Sequence, residues 1–205
     1  MVRDAVLSSA GLLDPQLGGH EIDQALGLDV PRRSLYFAHH GETMMPFLAL
    51  FDPANPVDCY ERRTSVQPQQ ALGQANSTLT IGAARKLAGP LFVELKSRQL
   101  STEEMQVQLV TTLFERILNR VPQEEELRIA REFLQSQKDL LAKSPPPSIA
   151  PAESESKPVP VPGVKDKGHP SLKLEEVPPA SDPELRAVEN LIHALFNHND
   201  FFTVR

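Results

Sequence analysis

His39, His40 and Glu42 form the densest group of metal-capable side chains in the sequence. Adjacent histidines in an extended segment point to opposite faces. A metal site would therefore need further ligands, with Asp52, Asp58 and Glu61 as the nearest carboxylates. No His-Glu-x-x-His or comparable spacing accompanies them, and solvent-facing or hydrogen-bonded histidines are the expectation. Cys59 is the single cysteine. Alone it makes no intrachain disulfide and no cysteine zinc cluster, and no His near it in sequence could activate it as a nucleophile. Arg32-Arg33 and Arg62-Arg63 are two guanidinium pairs. Such pairs can clamp carboxylates, phosphates or sulfates bidentately, or pin an irregular loop to the body. Asn76-Ser77-Thr78 matches a glycosylation sequon, yet Ser77 or Thr78 as a helix N-cap explains it better. Phosphate-cradling glycine loops, Gly-x-Ser-x-Gly and paired carboxylates are missing. The residues thus assign no catalytic group, no metal and no cofactor.

The chain that must position these residues has 205 of them, with 21 Lys+Arg against 27 Asp+Glu and a formal net charge of -6. That balance argues against general nucleic-acid binding and against adhesion to an anionic membrane. No apolar run approaches the roughly 18–20 residues that cross a bilayer. The opening Met1-Val2-Arg3-Asp4-Ala5 lacks the apolar stretch of a signal peptide. Aromatic residues are only 5% and proline reaches 19 residues, as expected of a folded part diluted by an unfolded one.

The division is visible in the composition. Ten of the 19 prolines fall within residues 143–182, and Pro183 follows directly. Such a stretch buries too little apolar surface to offset its ordering entropy, so 143–182 is expected to be a disordered linker. Residues 101–142 carry the clearest helical pattern. Ser101 and Glu104 fit a capping box, and Met105, Leu109, Val110, Leu113, Phe114, Ile117 and Leu118 recur on one face. Arg120-Val121-Pro122 breaks that helix. A second stripe of Leu127, Ala130, Phe133, Leu134, Leu140 and Leu141 then implies an antiparallel hairpin. Ser181-Asp182-Pro183-Glu184 opens a third amphipathic helix with Leu185, Val188, Leu191, Ile192, Leu195 and Phe196 on its face. This helix must find cover on the body across the linker, and residues 200–205 read as an extended tail. The first hundred residues are less regular. Helical patterns occur at 2–10, 44–51, 67–76 and 78–88, Ser34–Ala38 reads as a short strand or extended segment, and Gly89-Pro90 is expected to kink or restart the helix. The fold class is mainly α, with an irregular N-terminal half. Residues 1–142 form a partial helical domain, 143–182 the linker, and 183–205 a C-terminal helix and tail of the same domain.

Several strings line up along the chain: Arg32-Arg33-Ser34-Leu35-Tyr36-Phe37, Phe47 to Asp52, Ser65 to Leu72 with Pro68-Gln69-Gln70, Ala75-Asn76-Ser77, and Ala194 to Arg205 with Asn197, Asn199 and Asp200. Together they resemble the domain of unknown function numbered 1553, the C-terminal domain of large secreted planctomycete proteins that often carry a cytochrome-c-like domain upstream. The resemblance covers nearly the whole chain except the linker. It implies a mostly helical domain in an exported protein and carries over no catalytic residue; any haem belongs to the upstream domain. Arg32, Arg33, Phe51, Asp52, Pro68, Gln69, Gln70, Asn76, Ser77, Asn197, Asn199 and Asp200 are signature positions without a known role. The chain opens inside the family's Arg-Asp-x-x-Leu helix, at Arg3-Asp4-Ala5-Val6-Leu7. The resemblance therefore implies further helices upstream, and Val6, Leu7, Leu12 and Leu13 are expected to lack part of their packing surface.

The favoured expectation is a non-catalytic interaction or scaffold module, the C-terminal part of a larger exported protein, with a protein partner. Two rivals stand beside it. One is part of a hydrolase or polysaccharide-processing domain whose site near Arg32–Arg63 is completed upstream, and the other is a non-functional gene fragment.

Overall fold

The computed structural model describes residues 2–40, 44–51, 68–98, 100–143, 171–174 and 177–202. Among the described residues eight α-helices succeed one another: α1 (Val2–Ser9), α2 (Pro46–Ala49), α3 (Pro68–Asn76), α4 (Thr78–Ser97), α5 (Thr102–Leu118), α6 (Glu124–Lys143), α7 (Pro183–Phe196) and α8 (Asn199–Phe202). No strand occurs among the described residues, so the architecture is mainly α. The central stretch of the expected linker, residues 144–170, lies outside the described residues, as do Asp52, Cys59, Arg62 and Arg63.

Local chemistry accounts for most boundaries. Ser101 accepts the Glu104 backbone N–H, and the Glu104 carboxylate accepts the Ser101 N–H, closing the expected capping box of α5. Asn119 ends α5 in the left-handed region at φ 54°, a conformation that asparagine tolerates. Asp182 caps α7 with Pro183 in its first turn. Three sequence expectations are corrected. Ser34–Tyr36 is a 3-10 turn rather than a strand, paired to the chain only through isolated bridges of Ile22 with Phe37 and Asp14 with Arg32. α4 runs through Gly89-Pro90 without restarting. Pro90 removes one backbone donor, but Leu87, Ala88, Leu91 and Phe92 on both sides of it are buried and hold the helix on course. Finally, Asn199–Phe202 form a helical turn instead of an extended tail, because Phe201 packs edge-on against Phe196 with centroids 5.4 Å apart.

α5 and α6 form the hairpin, and α7 lies against both α6 and α4. Val188, Leu191, Ile192, Leu195 and Phe196 of α7 are all buried. Each such side chain contributes about 1.5–3 kcal/mol, which is why a helix so far along the chain returns to the body. α1 packs on α4 and α5, and Val6 and Leu7 are completely buried within this chain. The expectation that they lack packing surface is therefore not met; α4 and α5 supply it. Leu12 and Leu13 are partly buried against the same core.

Residues 171–174 and 177–182 fall in the span that composition assigns to the linker, and their contacts tie them to the body. Leu174 is buried over Gly82 of α4, Lys86 donates to the Leu172 carbonyl at 2.5 Å, and Arg85 donates to the Val177 carbonyl at 2.6 Å. One buried leucine and two main-chain carbonyls held by cations of α4 suffice to anchor the segment.

Candidate functional site

Among the described residues, the largest fully buried side chain is a charged one near the N-terminus. Arg3 is completely enclosed. Its Nε donates to the Gly27 carbonyl at 2.6 Å, Nη1 to the Arg32 carbonyl at 2.7 Å and Nη2 to the Val30 carbonyl at 2.5 Å. The guanidinium also lies 4.8 Å from the centre of the Phe37 ring. Burial pushes its pKa below the ordinary arginine value, while Asp4, with an oxygen 3.3 Å from Nη1, opposes the shift. Asp4 in turn accepts the Ser34 backbone N–H at 2.9 Å and the Ser34 hydroxyl at 2.5 Å. Arg3-Asp4 thereby fastens the coil between residues 27 and 34 to the first helix.

Arg32 does similar work one layer out. It is buried and donates to the Gln16 side chain at 3.1 Å and to the Gly18 carbonyl. It sits 4.3 Å from the centre of the Tyr36 ring, and the Tyr36 hydroxyl accepts the Gly18 N–H at 3.0 Å. Gly18 and Gly19 have φ of 76° and 110°, so this loop needs glycine. Arg33 is exposed. The two guanidinium groups of the first arginine pair thus occupy different environments, one inside a loop and one in solvent.

The remaining signature residues fall at two other places. Pro68 and Gln69 are exposed in the first turn of α3, Gln70 is half-buried, and Phe51 stacks at a tilt on Phe47 with centroids 5.2 Å apart. The Asn76 amide donates to the Leu72 carbonyl at 3.1 Å. Ser77 is the N-cap of α4 and accepts from the Leu79 N–H at 3.1 Å, as expected of the sequon. Behind this turn Gln74 is fully buried and Thr80 donates to its carbonyl at 2.6 Å. The His193 Nε2 of α7 meets the Ala75 carbonyl at 2.9 Å, and burial lowers its pKa.

The third place lies where α5, α6 and α8 meet. Arg120 binds both oxygens of Glu126 at 2.7 and 2.6 Å and donates through Nε to Asp200 at 2.9 Å. Asn197 caps α7 by donating to the His193 carbonyl at 2.8 Å, and Asn199 opens α8. The Arg120 hydrogen bonds hold the Glu126 carboxyl down at about 2, with the Gln123 N–H adding a smaller pull, and both carboxylates raise the Arg120 pKa. A folded pKa lowered from the usual 4.5 gives stability that is complete above that value and lost as pH falls through about 2. Wild type and Glu126→Gln should therefore differ in unfolding free energy, taken from urea titration, by about 1 kcal/mol at neutral pH after solvent screening, and converge between pH 4 and 2. A gap that stays constant with pH would mean that the ion pair does not stabilise the junction.

Beside Asp200 opens a cleft of about 760 Å³ between α1, the end of α5 and α8. Ile117 and Phe201 line it together with Ser8, Ser9, Arg116 and Asn119. Arg116 leans across Gly11 and donates to the Ser9 carbonyl at 2.7 Å. No group of three His, Cys, Asp or Glu side chains among the described residues could hold a metal. His40 instead pairs with Glu21 at 2.8 Å, both exposed. No helix among the described residues is long and apolar enough to cross a membrane.

A family model described as PSD1, protein of unknown function (DUF1553), matches residues 1–134. The chain belongs to this family. No curated protein and no solved structure matches it. The matched span of the DUF1553 family runs from α1 to Leu134 in α6, and so takes in the Arg3-Asp4 fastening, the Arg32 loop, the α3–α4 turn and Arg120 with Glu126. Asp200, the second carboxylate on Arg120, lies beyond it. The positions singled out in the sequence, where described, fall at three separate places rather than at one, and Asn197 and Asn199 lie beyond the matched span with Asp200. Composition had no means to single out Arg3, since a charge in a first turn reads as solvent-facing; its place in the Arg-Asp string was the only available signal.

Proposed function

We propose that this chain is a non-catalytic helical interaction module that acts on another polypeptide, as the C-terminal part of a larger exported protein. The observation that carries the reading is the use made of the charges that the fold encloses wholly or in part. Arg3, Asp4, Arg32, Arg120 and Asp200 all bind backbone carbonyls, backbone amides or one another. Groups so engaged fix a surface; they are not poised to move protons or attack a substrate. The cleft between α1, α5 and α8 supplies the surface, with apolar and polar side chains both in its lining, a mixture that protein interfaces share. The net charge of -6 favours a polypeptide over a nucleic acid.

The test is site-specific photocrosslinking in the native host. A photoreactive residue at Ser9, on the cleft rim, should yield one discrete higher-mass adduct, and Arg116→Glu should abolish it. The same residue at Val93, exposed on α4, should yield none. Equal adducts from both positions, or none from either, would remove the cleft as an interface. An antibody to this chain that detects a longer secreted polypeptide would support the place in a larger protein, and a cell-internal product of 205 residues would refute it.

A further inference from the structure

The segment around Leu174 meets α4 in the manner of a bound peptide. Lys86 and Arg85 grip its main-chain carbonyls, at Leu172 and Val177, rather than its side chains. The Leu172 N–H donates to the Asp29 carbonyl at 2.7 Å. The Ala180 N–H donates to Glu189 of α7 at 3.1 Å. One side chain is read specifically. Leu174 is buried where α4 has Gly82, and a Cβ at position 82 would stand 2.6 Å from the Leu174 Cβ and 2.8 Å from its carbonyl oxygen. Lys173, just before, adopts a left-handed φ of 46°. That conformation is unfavourable for a lysine and persists only where the surroundings determine it. Main-chain clasps with a single side-chain pocket are the general logic of peptide recognition.

We propose that the groove centred on Gly82 is an exchangeable peptide-docking site: it is filled in cis by residues 171–174 and 177–180, and it takes the same segment from a second copy of the chain when its own is displaced. The chain length permits both. The 27 residues from 144 to 170 separate α6 from the segment, a contour of up to about 90 Å that reaches a neighbouring molecule as readily as its own body. Cis occupancy hides the groove, so trans binding to the intact chain is weakened by the fraction of time the groove stands empty. The inference is independent of the cleft beside α8.

The test uses the full chain and a labelled synthetic peptide covering residues 170–181, read by fluorescence anisotropy. Leu174→Asp in the chain expels its own segment and should raise peptide affinity at least about ten-fold over wild type, by removal of self-occupancy. Adding Gly82→Val to Leu174→Asp should abolish binding, and a peptide carrying Leu174→Asp should not bind. Equal affinity for wild type and Leu174→Asp would overturn the proposal. So would undiminished binding after Gly82→Val, or no binding to a Leu174→Asp chain that keeps its helical circular dichroism. Should that variant fail to fold, Leu174→Ala in the chain loosens its own segment and leaves every groove residue intact. It should bind the peptide more tightly than wild type, and no gain there would equally overturn the proposal.

Discussion

Arg3→Met should lower the stability of the chain by about 3–5 kcal/mol, the usual consequence of breaking a buried ion pair. The side chain is completely enclosed. Its removal leaves the carbonyls of Gly27, Val30 and Arg32 without their donors and leaves Asp4 beside Ser34 without its cation. Each orphaned buried polar group costs about 1–3 kcal/mol, so methionine cannot compensate by filling the volume. Domains of this kind are stable by only about 5–15 kcal/mol in total, and a loss of this size leaves a substantial unfolded fraction. Arg3→Lys should recover less than half, because an ammonium is a point charge and cannot address three carbonyls in different directions. Arg33→Ala, at an exposed neighbour of the same coil, should stay within about 0.5 kcal/mol of wild type. Urea unfolding followed by circular dichroism measures all three. An Arg3→Met midpoint equal to that of Arg33→Ala would mean that the coil between residues 27 and 34 is held by something other than this guanidinium.

The contrast between Arg3 and the helical hairpin explains what the sequence can and cannot disclose. Ser101 with Glu104, and the stripe from Leu109 to Leu118, are local signals; periodicity and capping act within one or two turns and are readable in order. The α7 stripe is equally plain, and its burial follows because Leu191 and Phe196 have nowhere else to go. Arg3 carries no such signal. Its partners lie 24 to 29 residues away in a coil with no periodicity, and a charge in the first turn of a helix gives no hint of burial. The helical turn at Asn199–Phe202 escaped for a related reason, since it exists through the contact of Phe201 with Phe196 and through the reach of Arg120 to Asp200. Leu172 and Leu174 were hidden by the prolines around them: composition averages over a window, while docking on Gly82 needs one leucine in one place. Of the candidate site, the strings Arg32 to Phe37, Pro68 to Gln70 and Asn197 to Asp200 could be picked out in order but not their separation into three groups, because order along the chain says nothing of distance.

Leu191→Asp should abolish the cooperative thermal transition. Leu191 is buried on α7, between that helix and the body formed by α4 and α6. Two losses add. About 1.5–3 kcal/mol of apolar burial disappears, and a carboxylate must either enter the core uncompensated, take up a proton there, or force α7 away. The sum exceeds the roughly 4–5 kcal/mol that only a short list of substitutions reaches, which is comparable to the whole stability of a modest domain. The same change at the outer surface separates core from solvent. Val93→Asp on α4 and Leu140→Asp on α6 place the carboxylate at positions 68% and 56% exposed, and both should melt within a few degrees of wild type. Lowering the pH to about 4 should partly restore the Leu191→Asp transition, since a carboxyl whose folded pKa is raised by burial stabilises the fold only while protonated. If Leu191→Asp instead melted like Val93→Asp, α7 would not rest on the body in solution. The groove on α4 and the cap on α8 would then lose their framework together, because Ala180 and Asp200 are positioned from the two ends of that one helix.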